Sequence, residues 1–394
     1  MTNDPIVILS YARTPMGGFG GDLSGVSATE LGSVSIKATI ERAGVAADQV
    51  SEVYMGCVLP AGVGQAPARQ ASLGAGIPNG TPCTTVNKVC GSGMKTVMIA
   101  HNELLTGEHD LIIAGGMESM SNAPYLLDAH RGGQRLGHGK VIDHMFLDGL
   151  EDAYNPGKLM GAYAQETADD YAFTREMQDE YAIRSTKRAQ MAIESGAFDD
   201  EVEPVIVKSR RGETTVSIDE QPGKAKLDKI PTLRPAFAKD GSVTAANSSS
   251  ISDGSAALML ARQSKADELG LDPVATIVGF TSFAREPERF TIAPVGAIEK
   301  LLKQLDWSVD DVDLFEINEA FAIVTMAAIK DLGLDDEKVN IHGGACALGH
   351  PLGASGARIL VTLIAALKQN NLKRGIASLC IGGGEATAIA VEIA

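Results

Sequence analysis

The chain has 394 residues, 44% hydrophobic and 21% charged, which is enough apolar material for a large buried core and too much for a disordered chain. A formal net charge of −16 excludes the basic footprint of a nucleic-acid binder, and no run of about 18 apolar residues is available to span a membrane. The five cysteines, at 57, 83, 90, 346 and 380, are odd in number and widely spaced, a pattern of free thiols; with no signal-peptide pattern after Met1 and no lipidation or peroxisomal signal at Ala394, a cytoplasmic location is expected.

In chain order, residues 36–50 read as an amphipathic helix, a short turn and an Asp leading into a strand at 52–55. Residues 84–100 read as a strand, a tight turn and a helix, with Cys90 where the turn opens and Gly91 and Gly93 permitting a close approach. A helix N-terminus stabilises a thiolate by about 0.3–2 kcal/mol, so a lowered thiol pKa is expected at Cys90. An apolar strand follows at 111–116 and ends in two glycines.

The same series recurs. Residues 298–312 match 36–50 without a gap, a strand follows at 314–317, a Gly-rich turn opens a helix at 353–358, and an apolar strand at 379–384 ends in glycines. Helices alternating with strands on short links predict parallel α/β sheets in two like halves. Residues 121–245 have no counterpart and are read as an inserted loop domain, with a long helix at 174–195 and a basic run at 204–239. That run carries Lys or Arg at 208, 210, 211, 224, 226, 229, 234 and 239, suited to a phosphate-bearing substrate or to a solvated face. The expected divisions are 1–120 completed by 246–270, the insertion 121–245, and 271–394.

Four groups in this pattern carry chemistry. Cys90 is a candidate nucleophile. His350, between Gly349 and Pro351 before a helix, is placed to act as a base. Cys380 leads into three glycines, whose free N–H groups suit an oxyanion hole; the strand-like 386–393 that follows argues against a dinucleotide loop. Asn318-Glu319-Ala320-Phe321 lies at the C-terminal end of a strand, where ligands collect in α/β sheets. His342, Cys346 and His350 recur at four-residue steps, but Gly343, Gly344, Gly349 and Pro351 break a helix there, so no metal site is expected.

Taken in order, residues 86–93 (Val-Asn-Lys-Val-Cys-Gly-Ser-Gly), 114–121 (Ala-Gly-Gly-Met-Glu-Ser-Met-Ser), 318–321, 349–356 (Gly-His-Pro-Leu-Gly-Ala-Ser-Gly) and 380–384 resemble the signature set of the thiolases across essentially the whole chain. The nearest resemblance is to the short-chain, biosynthetic acetyl-CoA acetyltransferases. It implies a five-layered αβαβα core from two similar halves with an inserted loop domain. It implies Claisen condensation of two acetyl-CoA to acetoacetyl-CoA and CoA, and the reverse thiolysis, through an acetyl-cysteine.

By the same resemblance Cys90 is the acylated nucleophile, His350 its base and Cys380 the acid/base at the α-carbon. Asn318, through a water, joins His350 in one oxyanion hole, and the N–H groups of Cys90 and Gly382 form the other. CoA, substrate and product rather than cofactor, contacts Leu150, Met160, Phe237, Ala245, Ser249, Ala320 and Phe321. No cofactor, metal, nucleic acid or membrane is implied, and a homotetramer built from dimers is. Two departures stand out: Leu159 occupies a place where biosynthetic members often have His, and a tyrosine that supports potassium binding in one branch has no counterpart near Gln221. The alternative is a degradative 3-ketoacyl-CoA thiolase for longer chains; Phe290, in the acyl-pocket segment, favours a short one.

Overall fold

In the computed structural model, which describes residues 4–210 and 212–394, the two repeats build matching halves. The first contains β1 (Ile6–Arg13), α1 (Ala28–Ala43), β2 (Glu52–Gly56), β3 (Cys83–Val86), α2 (Ser92–Leu104) and β4 (Leu111–Ser119). The chain then runs through α3 (Met160–Asp170) and α4 (Arg175–Ser195) before returning as β5 (Ser252–Arg262). The second half contains β6 (Ala275–Ala284), α5 (Ala293–Leu305), β7 (Leu314–Ile317), α6 (Ala322–Leu332), α7 (Leu352–Gln369), β8 (Arg374–Ile381) and β9 (Glu385–Ile393).

The strand orders correspond. The first half runs β1-β5-β4-β2-β3 and the second β6-β9-β8-β7, and the two meet where Val7 pairs with Thr276 and Ile8 with Ala275. β5 therefore holds in the first half the place β9 holds in the second. The repeat extends to the helix ends: α1 stops at Gly44 and α5 at Asp306, both left-handed, and a single 3₁₀ turn follows each.

Strand alternation creates the layers. Ile6 and Ile8 of β1 and Ile389 and Val391 of β9 face one central core with Met94 and Val97 of α2 and Ile359 and Leu363 of α7. Val7 and Leu9 face outward onto Ile36 and Ile40 of α1, and Ala388 and Ala390 onto Ile298 and Leu301 of α5. The order is thus helix, sheet, buried helix pair, sheet, helix, the five layers expected.

Two expectations are corrected. The sheets are mixed rather than parallel: β2 pairs parallel with β3 and β4, and β7 with β8, whereas β8–β9, β9–β6, β1–β5 and β5–β4 are antiparallel. A strand that follows its neighbour through a tight turn, as β9 follows β8, has to reverse. Gly115 and Gly116 also do not end a strand. They lie inside β4, where a Cβ on Gly116 would sit 1.9 Å from the Gly353 carbonyl; they let α7 press onto the sheet. The glycines after β8 do form a turn, with left-handed φ at Gly383 and Gly384.

The insertion is anchored by Arg13 of β1. This fully buried guanidinium holds Asp219 with two bonds, at 2.7 and 2.8 Å, and Glu201 at 2.5 Å. Among the described residues no helix is long and apolar enough to cross a membrane.

Candidate active site

Between Val86 and Ser92 the chain turns so sharply that Val89, a β-branched residue, takes a φ of 47°. Asn87 Oδ1 accepts the Val89 N–H at 2.9 Å. The Ser92 hydroxyl accepts the Lys88 N–H at 2.8 Å and donates to the Val89 carbonyl at 2.6 Å. The Lys88 ammonium pairs with Glu385, which ties this turn to the β8–β9 turn of the other half.

Cys90 is thereby held, nearly buried, at the start of α2. Burial pushes its thiol up to about 11, against the opposing N–H groups of Gly382 and of Cys90 itself, and the Glu118 charge adds to the rise. This corrects the expected lowering, because desolvation of a thiolate outweighs the helix-end contribution.

His350 follows Gly349, whose φ is 104° and where a Cβ would meet Ser252 Oγ at 2.0 Å. Its N–H donates to the Ser250 carbonyl at 3.1 Å. Nδ1 lies 2.5 Å from Ser355 Oγ, and Nε2 is buried with no protein partner. Burial and then the Arg358 charge push the imidazole down to about 3, so it is neutral at physiological pH.

Two carboxylates that the sequence left without a role support this loop. Glu319 accepts from Tyr181 Oη at 2.9 Å, Ser185 Oγ at 2.7 Å, Asn340 Nδ2 at 2.9 Å and the Cys346 N–H at 3.0 Å. Glu118 accepts the N–H groups of Val58, Leu59 and Gly353 at 2.8–3.1 Å, joining β4 to the first turn of α7; burial pushes it up to about 7 against those donors. An acidic residue near the end of an apolar strand, as Glu118 is the penultimate residue of β4, was the available signal.

Cys380, the penultimate residue of β8, is fully buried, and burial and then the charge of the neighbouring Cys90 hold its thiol well above the usual range. Cys90, His350, Cys380 and Gly382 meet in one cavity of about 460 Å³, although Cys90 and Cys380 come from different halves. Leu150, Met160, Phe237, Ala245, Ser249, Ala320 and Phe321 all line it. So do Phe290 and Leu159, and residues not singled out from sequence, among them Phe19, Phe146, Gln221 and Leu352.

Asn318 is not in the lining. It is fully buried, and neither atom of its amide has a protein partner. Gln221, Ala245 and Ser250 are shared with an adjoining hollow of about 370 Å³ bounded by Lys224, Lys226 and Lys229. The basic run is partly neutralised: Lys224 pairs with Glu220 and Asp22, Lys229 with Asp228 and Lys208 with Glu213, while Arg211 lies outside the described residues.

Residues 6–264 match the family model of the thiolase N-terminal domain, and residues 271–393 that of the thiolase C-terminal domain. The chain belongs to the thiolase family. This thiolase is 49% identical over 389 residues to an acetyl-CoA acetyltransferase of Cupriavidus necator, covering 98% of this chain and 99% of that one. It is 47% identical over 394 residues to an acetyl-CoA acetyltransferase of Schizosaccharomyces pombe, covering all of both. Among solved structures it is similar to the Bacillus anthracis acetyl-CoA acetyltransferase, with a TM-score of 0.97 and 44% identity over 99% of each chain. It is also similar to the Acat5 thiolase of Ascaris suum in complex with coenzyme A, with a TM-score of 0.94 and 43% identity over 99% of this chain and 100% of that one.

Proposed function

We propose that this thiolase condenses two acetyl-CoA to acetoacetyl-CoA and CoA, and runs the reverse thiolysis, through an acetyl group on Cys90. The observation that carries the reading is the convergence of two thiols, an imidazole with a bare Nε2 and the Gly382 N–H in one apolar cavity. Cys90 attacks the first thioester as His350 Nε2 takes its proton; the N–H groups of Cys90 and Gly382 face the developing oxyanion, and the departing CoA sulfur takes the proton back. Cys380 then passes its own proton to His350 and, as the thiolate, takes the α-proton of a second acetyl-CoA; the carbanion attacks the acetyl-cysteine, and the released Cys90 thiolate recovers the proton from His350. Asn318, its amide free of protein partners, orients a water beside His350 Nε2 towards the enolate oxygen.

Every step uses protein groups, so CoA is substrate and product and no cofactor enters. Segment 121–245 serves as the CoA-binding insertion between halves 1–120 with 246–270 and 271–394, its phosphates meeting the hollow at Lys226. The homotetramer implied by the family resemblance and the cytoplasmic location expected from the free cysteines complete the reading. Brief exposure to acetyl-CoA followed by peptide mapping tests it: the acetyl group is expected on Cys90, and a label on Cys380 instead would reverse the two thiols' roles.

A further inference from the structure

The hydroxyl of Ser355 makes two short contacts, 2.5 Å to His350 Nδ1 and 2.9 Å to the Pro351 carbonyl. Each contact needs a hydrogen between its heavy atoms, and the serine owns one. A carbonyl only accepts, so the serine hydrogen lies on the Pro351 contact. The hydrogen on the other contact must then come from the imidazole. The opposite arrangement, with Ser355 donating to Nδ1, would leave two oxygens facing each other at 2.9 Å with nothing between them.

The internal repeat supports the same assignment independently. Ser92 is the counterpart of Ser355, three residues after the first glycine-rich turn's Val89 as Ser355 is three after Leu352. Its hydroxyl likewise donates back to a turn carbonyl, Val89 O, and accepts from Lys88. There the donor is a backbone N–H, so the serine's accepting role is unambiguous. In the second half the same oxygen accepts from a side chain instead.

We infer that Ser355 is a positioning residue that holds His350 as the Nδ1–H tautomer, leaving Nε2 bare to take the Cys90 proton. The inference rests on the proposed role of His350 as the base. The other ionisable groups around the imidazole are Cys90 and Cys380 in the cavity, Glu118 near Cys90, and Arg358, which is paired with Glu316 at 2.9 Å. The cation and the burial disfavour a third state in which both ring nitrogens carry hydrogen. Without the serine oxygen nothing specifies the tautomer, and the form with hydrogen on Nε2 cannot accept a proton from the thiol.

The test is Ser355→Ala, read by rapid-quench acetylation of Cys90 across pH 6–10 with thermal unfolding in parallel. Wild type is expected to acetylate at a rate nearly independent of pH up to about 9. Ser355→Ala should be slower by roughly 10²-fold at pH 7, within the range found for general-base and tautomer defects, and should climb about tenfold per pH unit as hydroxide replaces the base. An unchanged rate and a flat profile in Ser355→Ala would overturn the inference. His350→Asn separates the two readings: if it acetylates normally the base assignment fails, whereas if it is dead while Ser355→Ala is normal only the tautomer inference fails. A measurement on the wild-type fold needs no serine variant. In ¹⁵N-histidine protein, with His350 assigned by its loss in His350→Asn, a protonated Nδ1 and bare Nε2 are expected, and the reverse tautomer refutes the proposal.

Discussion

Replacing Cys380 by Ser separates the two half-reactions. The side chain is fully buried beside Phe290, Ile292, Ile323 and Val324, so the variant exchanges a thiol for a hydroxyl in an apolar wall. An unpaired buried hydroxyl costs about 1–3 kcal/mol of stability, which a large core absorbs. Acyl transfer needs Cys90, His350 and the Gly382 N–H, and none of these is altered. Exchange between acetyl-CoA and free CoA should therefore stay within about tenfold of wild type. Condensation loses its acid/base, worth roughly 10²–10⁴ in rate, or about 2.7–5.5 kcal/mol of barrier at 1.36 kcal/mol per decade. A hydroxyl's pKa lies far above that of a thiol, so serine does not substitute at neutral pH. Intact mass after acetyl-CoA exposure reads the first step, isotope exchange into CoA its reversal, and chromatography of acetoacetyl-CoA the second. If Cys380→Ser abolished Cys90 acetylation as fully as condensation, Cys380 would belong to nucleophile activation and the division of labour would be wrong.

Lys226 makes no ion pair among the described residues, whereas Lys224 is held by Glu220 and Asp22; Lys226→Gln should raise KM for acetyl-CoA about two- to fivefold at low salt, more than Lys224→Gln, and the difference should shrink in 0.5 M salt. An unchanged KM at low ionic strength would reduce the run to a solvated face. Phe290 is almost fully buried in the cavity wall with its ring 6.5 Å from that of Tyr163, and we propose that it limits the acyl chain. Phe290→Ala should cost about 3–5 kcal/mol of stability and, at about 0.8 kcal/mol per methylene, shift relative kcat/KM towards longer 3-ketoacyl-CoA by roughly fourfold per carbon; no shift would place the acyl end elsewhere.

Glu118, Glu319 and Ser355 illustrate the limit of what could be read from the chain. Each acts on segments distant in sequence or through one hydroxyl oriented by a turn, and nothing in their neighbours' identities marks the partner. Lys224 shows the same limit for charge: counted along 204–239 it is one of eight cations, yet Asp22, about 200 residues earlier, shares in its neutralisation.

The CoA contacts from Leu150 to Phe321 came from the resemblance to the thiolases; what the sequence determined by itself is the repeat, the helices and turns that carry it, and Cys90, His350 and Cys380 as chemical candidates. Those features depend on short-range rules: apolar spacing, glycine where φ is positive, and a helix start after a tight turn. Tertiary structure decided strand direction, the close approach that requires Gly116, and the protonation of the site. The helix end that would lower the Cys90 pKa is written in residues 90–95, but the burial that raises it to about 11 belongs to a site whose cavity is lined by both halves and the insertion. Desolvation depends on everything packed around an atom, and that sum exists only once the chain has folded.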